Sequence, residues 1–588
     1  MPHKLWNSKA ISSYIEKLFK NGKVYLLEQP TGSGKSTLAA TLSLLLYRKA
    51  NIRSFIFVRT HDQVWEYVDR ILELSRYLGF NALRVVPLVG KDVGCMYGYY
   101  KFPYIAYAYC RSQGNGELCK DKMLISEKDP LPIYHELSKS SSDLHDVIGE
   151  LAGLGYCPYY TLKYLALNGH IIIGTYSHMK ANDIFSLSDP YRYAIFIDEA
   201  HNIVDFLLDS RIRLIYESKL EELQLIFRKY GFNNIAEKIR AFLDLTKEVS
   251  VVKNLFFQKI LSEKLLDISL AINNVIGEKR GYTSDVYYML NEVKNNNGLE
   301  TTFENLVHLM SMPPKIIRKK EDKILLEYPS IPKSLARAIN SSLSTILMSA
   351  TLSPLAFYRR ILIGIGVVKE VDIINDEPLF DPFSNMDVNI KLIDGFTSKY
   401  EERSYAQLRD IAIFTLDVYK KTGWHTFVFF PSKELSLRFY SMIVNLNGGH
   451  EVYILDSFPN IKSQNLSSSG AKIFISTQRS RVSEGVNYFR LENYPVNVII
   501  YGLSIRPKTA EYDMKLRTLL KLKSSELLHF GYLVPAVNFL IQVFGRFIMS
   551  GRKINLYILE KRLIALLKNE GFLPKWFVDL LYSNGYKF

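Results

Sequence analysis

The sequence predicts an α/β chain of doubly wound parallel sheets, interrupted by one cysteine-bearing insert and one helical insert. Three observations carry that expectation. An apolar strand runs into a glycine-rich loop and then a helix at residues 24–40. Short apolar runs at Ile195–Ile197, Ile346–Met348 and Phe427–Phe430 are each followed by acidic or small polar residues, as in buried strands whose carboxyl ends hold ligands. Residues 191 to 312 contain no proline, and helical periodicity recurs there.

At 588 residues the chain is too long for one core and is expected to form about three or four domains. Apolar content of 48% excludes wholesale disorder. No run of 18 apolar residues occurs, so no membrane span is expected. The opening "MPHKLWNSKA" lacks the charge and apolar core of a signal peptide. An intracellular, cytoplasmic protein follows as the expectation. The net charge of +15 points to a polyanionic partner, nucleic acid first.

The first element is "VYLLEQPTGSGKSTLAA". Val24 to Leu27 is the strand, and Gly32 and Gly34 permit a tight loop. Lys35, Ser36 and Thr37 open the helix. Gln29, Pro30, Thr31, Gly32, Ser33, Gly34, Lys35, Ser36 and Thr37 form a phosphate-binding loop, whose N–H groups and helix terminus attract phosphate oxygens. The general pattern has glycine where Gln29 stands. Lys35 is expected at the β- and γ-phosphates of ATP, and Ser36 on Mg2+. In "YAIFIDEAHN" the acids follow a buried strand. Asp198 is expected to hold magnesium through water, and Glu199 to orient and deprotonate the attacking water. His201 is expected to couple the site to a neighbouring domain. In "PAVNFLIQVFGRFIM" (535–549), Gln542, Gly545 and Arg546 are expected to face the nucleotide from a second domain.

The insert between these motifs holds all four cysteines, Cys95, Cys110, Cys119 and Cys157. Their spacings lack the paired knuckles of a structural zinc site. Soft thiolates suit zinc and an iron–sulfur cluster alike, and spacing does not choose between them. Tyr97, Tyr99, Tyr100, Phe102, Tyr104, Tyr107 and Tyr109 crowd the first interval. Most are expected to pack a small core, with one or two free to stack on single-strand bases. Lys101 and Arg111 supply charge for phosphates. In the proline-free stretch Leu220, Leu223 and Phe227 share one face, as do Ile235, Ile239, Phe242 and Leu243. Pro313 and Pro314 end that pattern. Lys315, Arg318, Lys319 and Lys320 are expected to be a solvated face rather than a DNA site.

The order of "EQPTGSGKS", "FVRTHDQ", "GYCPYY", "FIDEAHN", "SATLSP", "VFFPSKE", "VSEG", "QVFGR" and "YILEKRL" resembles the XPD/DinG group of superfamily 2 helicases, from Glu28 to about Arg562. The resemblance implies two RecA-like motor domains, an inserted iron–sulfur cluster domain and a helical arch. It places the first motor domain at 1–90, 161–205 and 326–360, the cluster domain at 91–160, the arch at 206–325 and the second motor domain at 361–588. It implies that Cys95, Cys110, Cys119 and Cys157 ligate a 4Fe–4S cluster, because "CPYY" carries the last ligand in that group. It adds Glu484 and Gly485 to the nucleotide site, and Arg59, Thr60 and Ser432 to the DNA path. The implied activity is ATP-driven 5′ to 3′ translocation on single-stranded or forked DNA with strand separation, by a monomer, in DNA repair or related processing.

The sequence departs from the group's pattern at three places. Met549 stands for the second arginine of Q-x-x-G-R-x-x-R, Asn487 for the acid after "SEG", and Asn7 for an adenine-sensing glutamine. A missing finger arginine lowers phosphoryl-transfer rates steeply. Arg552 is a substitute at the wrong spacing. Two expectations stand: an active helicase, and a helicase-fold DNA-binding or scaffold protein with little unwinding.

Overall fold

The computed structural model describes residues 8–20, 22–80, 83–95, 144–180, 192–247, 255–278, 284–296, 298–309, 314, 316–320, 322–328, 330–374, 378–383, 385–446, 451–455, 470–480, 494–520, 522–548, 552–567 and 572–587. They form two compact units, one of residues 1–42, 195–202 and 343–588, the other of residues 43–194 and 203–342. Cys110, Cys119, Lys101, Arg111, the aromatics at 97–109, Glu484, Gly485, Asn487, Met549 and Asn7 lie outside the described residues.

The first unit carries the expected parallel α/β architecture. Strands Val371–Ile374, Val24–Glu28 and Ser344–Ser349 pair in that order, all parallel, with Leu26 opposite both Leu347 and Ile373. A second sheet has six parallel strands, ordered Asp387–Ile393, Lys553–Leu559, Val496–Tyr501, His425–Phe430, Ile473–Thr477 and Val452–Ile454. Successive side chains of a strand point to opposite faces. Phe427 and Phe429 therefore enter one core, with helices Val534–Gly545 and Lys575–Ser583. Val428 and Phe430 enter the other, with helices Tyr405–Thr422 and Lys433–Leu446. Helices on both faces explain why the strands read as continuous apolar runs.

Among the described residues, one helical run, Ser524–Gly545, is long and apolar enough to cross a membrane. Its apolar residues Val537, Leu540, Ile541 and Phe544 are buried in the core of the six-stranded sheet.

The second unit holds parallel strands Arg53–Val58, Ile171–Thr175 and Val85–Pro87, in that order. Its helices include a consecutive series, Glu217–Lys229, Asn233–Lys247, Leu255–Glu278, Ser284–Asn295 and Leu299–Leu309. The faces expected from periodicity, Leu220/Leu223/Phe227 and Ile235/Ile239/Phe242/Leu243, all enter one core. In the basic run after Pro314, Lys319 is not on a solvated face, and Lys315 lies outside the described residues. The run forms strand Ile316–Lys320, paired antiparallel with Lys323–Glu327. Strand alternation puts Lys319 on the same side as Ile317, and both are buried. The Lys319 ammonium lies 2.9 Å from Glu217 and donates to the Thr246 carbonyl.

Candidate active site

The candidate phosphate loop follows Val24–Glu28 and ends where helix Lys35–Ala50 begins. Gly32 and Gly34 adopt φ of +84° and +87°, conformations that L side chains rarely take. At Gly34 a Cβ would also lie 2.5 Å from the Phe380 ring, and the Phe380 N–H donates to the Ser33 carbonyl at 3.2 Å. The loop thus needs glycine for its own turn and for the chain packed on it. Gln29, at the position where glycine is usual, is buried and donates to the Tyr14 hydroxyl at 3.0 Å.

The Lys35 ammonium folds back onto the loop, donating to the carbonyls of Gln29 (2.9 Å) and Pro30 (2.8 Å). Burial pulls its pKa below the usual lysine range, Glu199 and Asp198 oppose that, and Arg546 reinforces it. The Ser36 hydroxyl donates to Asp198 at 3.0 Å, and the other Asp198 oxygen accepts the Glu199 N–H at 2.9 Å. A hydroxyl and a carboxylate in contact form a hard oxygen pair suited to magnesium. Glu199 sits at φ +50°, a rare conformation for a residue with a side chain, and such strain clusters at functional sites.

His201 continues the line. Its ring lies 3.5 Å from the Glu199 carboxylate, 2.9 Å from the Ser349 hydroxyl and 2.7 Å from the Gln542 amide. Gln542 is buried in helix Val534–Gly545 and also donates to the Thr351 hydroxyl at 3.0 Å. A Cβ at Gly545 would lie 2.7 Å from the Thr31 hydroxyl oxygen, so this helix end packs directly on the phosphate loop. Arg546 follows as the helix cap, half-buried and close enough to be felt by Lys35. Residues 29–37, Asp198, Glu199, His201, Gln542 and Arg546 are therefore one assembly within one unit. Arg552 is fully buried and donates to the Phe547 carbonyl at 3.4 Å. That packing, not a phosphate, accounts for its place in the chain.

The DNA-path candidates have capping geometry. Thr60 caps helix His61–Tyr77 in a reciprocal box with Gln63, whose side chain accepts the N–H groups of Thr60 and Arg59. Arg59 is exposed. Ser432 accepts the Leu435 N–H at 3.4 Å at the start of helix Lys433–Leu446.

Cys95 ends the short helix Lys91–Gly94, and Cys157 caps helix Pro158–Leu167. A Cβ at Gly94 would lie 3.1 Å from the Tyr159 Cα, so the two element ends are in contact. Both cysteines are half-buried, and Lys91 lies 5.5 Å from the Tyr159 ring centre. The chain thus brings the first and last candidate ligands to adjacent element ends, which suits a shared thiolate site. Among the described residues no group of three or more metal-ligating side chains occurs.

Sequence reasoning assigned no role to two acids of the quoted stretches. Glu28 is half-buried and accepts from Leu352 and Ser353. Glu560 is buried and accepts from Thr397, Ser398 and Arg562. Burial pushes the Glu560 carboxyl up, but Arg562 and the Ser398 N–H outweigh it and hold the pKa below its ordinary value. The only local signal was an acid at a strand's carboxyl end, which both share with Asp198.

The DEAD_2 family model matches residues 56–220, and that of the type III restriction enzyme res subunit matches residues 3–73. The ATP-dependent DNA helicase XPD of Sulfolobus acidocaldarius is 24% identical over 582 residues, covering 95% of this chain and 96% of its own. The ATP-dependent DNA helicase CHL1 of Eremothecium gossypii is 23% identical over 274 residues, 43% of this chain and 31% of its own. Among solved structures, an XPD helicase aligns with a TM-score of 0.64 and 21% identity over 95% of this chain and 96% of its own. The Xpd4 of S. tokodaii aligns with a TM-score of 0.53 and 14% identity over 95% and 97%.

Proposed function

Because this chain resembles the XPD-type superfamily 2 helicases in sequence and shares their fold over 95% of its length, we propose that it is an ATP-dependent DNA helicase. It translocates on single-stranded DNA, 5′ to 3′, and opens forked duplexes in DNA repair or related processing. The observation that carries this reading is the unbroken series Ser36–Asp198–Glu199–His201–Gln542. It joins a phosphate loop to a helix of the second parallel sheet, as a motor needs if phosphate chemistry is to become movement.

In this reading Lys35 exchanges its loop carbonyls for the β- and γ-phosphate oxygens of ATP. Ser36 and Asp198 hold the accompanying Mg2+, which supplies positive charge to those oxygens. Glu199 orients the attacking water and takes its proton. Arg546 approaches the transferring phosphoryl group as the arginine finger, and Glu484 and Gly485 complete the nucleotide contacts. Gln542 and His201 report the state of the site to helix Val534–Gly545. The division into two motor domains, a cluster domain at 91–160 and an arch at 206–325 is part of the same proposal. Cys95, Cys110, Cys119 and Cys157 hold a 4Fe–4S cluster that fixes the fold of its domain. Arg59, Thr60, Lys101, Arg111 and Ser432 follow the DNA backbone, the chain acting as a monomer in the cytoplasm.

A second reading rests on Met549, Asn487 and Asn7: a DNA-binding protein of this fold with weak turnover and little unwinding. One experiment separates them. ATP hydrolysis is measured with and without single-stranded DNA, and unwinding on 5′-overhang, 3′-overhang, fork and bubble substrates. DNA-stimulated hydrolysis with 5′-overhang unwinding is expected. DNA binding with no stimulated hydrolysis would favour the second reading.

A further inference from the structure

Glu28 ends the strand that feeds the phosphate loop, and its side chain is half-buried. The Leu352 N–H donates to one oxygen at 2.5 Å and the Ser353 hydroxyl to the other at 2.7 Å. The backbone at Lys575, the start of helix Lys575–Ser583, also favours its charged form. The strand register explains this reach. Glu28 stands opposite Ser349, and the Gln29 N–H donates to the Ser349 carbonyl at 3.1 Å. The phosphate loop and the segment Ser349–Ser353 therefore leave the sheet side by side.

From that segment the bonds run to the site. The Thr351 N–H donates to the Ser349 hydroxyl at 3.1 Å, and that hydroxyl also meets His201 at 2.9 Å. Thr351 Oγ1 accepts from Gln542 at 3.0 Å. The Ala350 carbonyl accepts the indole N–H of Trp576 at 2.9 Å, from helix Lys575–Ser583. One carboxylate thus joins the phosphate-loop strand to the segment that seats Gln542, and Trp576 ties that segment to the helix.

Burying a carboxylate is unfavourable unless several donors meet it. A glutamine would offer one acceptor oxygen, and its N–H2 would face N–H and O–H groups that need acceptors. A site with donors on both oxygens selects the acid. We propose that Glu28 is a positioning residue that makes Ser349–Ser353 follow the phosphate loop, so that nucleotide entry reaches Gln542 through Thr351. Glu28 touches no reacting atom. The inference rests on the nucleotide reading of the loop but not on unwinding.

The test uses the full chain with Glu28→Gln, and Glu28→Ala as a second variant. Hydrogen exchange is followed in peptides covering the phosphate loop, residues 349–353 and residues 534–545, with and without a non-hydrolysable ATP analogue and magnesium. In the parent all three regions gain protection. In both variants the loop still gains it and the other two lose most of theirs. Where the parent hydrolyses ATP, kcat falls about tenfold or more with KM nearly unchanged, the cost of a misplaced catalytic segment. A purely structural anchor would lower stability without this split. Retained protection at 349–353 and 534–545 in Glu28→Gln overturns the inference, as does a parent in which the analogue protects the loop alone. A parent that binds the analogue but never hydrolyses ATP sinks the helicase reading instead, and the exchange result still decides the role of Glu28.

Discussion

Replacing Glu28 by glutamine should change how stability depends on pH. Burial pushes the Glu28 carboxyl from an ordinary 4.5 up to about 7, with the bonds from Ser353 and Leu352 opposing the shift. Lys35 is the charged group that feels it. A folded pKa above the unfolded one means that the native state holds the proton longer. The associated stability is fully present below about pH 4.5 and is lost as pH rises through about 7. A shift of 2.5 units corresponds to roughly 3 kcal/mol. In a compact unit of roughly 300 residues that is about 5 °C in melting temperature. Glutamine has no such slope and mimics the protonated carboxyl in charge. The melting temperature of Glu28→Gln minus that of the parent should therefore rise by about 5 °C between pH 5 and pH 8. The assay is thermal unfolding of both proteins at each pH, and the difference cancels the titration of other groups. A difference that stays flat, or falls with pH, would refute the buried-carboxylate argument.

Lys35→Ala should cost about 10²–10³ in ATP turnover, because it removes a positioned donor from the transferring group. DNA binding by anisotropy should stay near the parent's, and parent-like hydrolysis would mean that the loop is misassigned. Lys319→Ala should destabilise the helical bundle by about 3–5 kcal/mol, since it strands the Glu217 carboxylate in a buried setting. The double change Lys319→Met, Glu217→Leu should recover most of that, and equal losses in single and double variants would show that the pair is not coupled. The purified protein should be yellow-brown, with broad absorbance near about 400 nm and iron on elemental analysis. One zinc and no iron would overturn the cluster. Cys110→Ser should lose the colour and strand separation while keeping DNA-stimulated hydrolysis, and equal losses of both activities would argue against that separation of roles.

Local signals were legible where local physics sets the structure. The strand, tight loop and helix at 24–50 were readable because the loop's glycines answer a backbone requirement and its strand and helix are contiguous with it. The bundle faces were readable because helical periodicity needs no partner to be seen. Lys319 was misjudged because a run of charge concealed period-two alternation over only five residues, and the paired strand at 323–327 decided which side was inward. Thr60 and Ser432 were assigned to DNA from resemblance, while their hydroxyls occupy helix caps. A cap and a phosphate contact call for the same residue types, so the sequence alone does not separate them.

The site itself was legible in its parts and not in its wiring. Lys35, Asp198 and Gln542 each announce themselves by a neighbouring strand or helix. What joins them is parallel register: Glu28 opposite Ser349 sets Thr351 beside the phosphate loop, and Thr351 then receives Gln542. No spacing in the chain encodes that, because residues 28, 351 and 542 come from three distant stretches. The same register bears on the three departures from the helicase pattern. Arg546 keeps its place at the end of the Gln542 helix, next to a glycine that only a close-packed phosphate loop requires. A Cβ at Gly545 would strike the Thr31 hydroxyl, so this fit constrains the helix end whether or not the site turns over. What the fit does is hold Arg546 close to Lys35, which is where the nucleotide reading proposed above needs it.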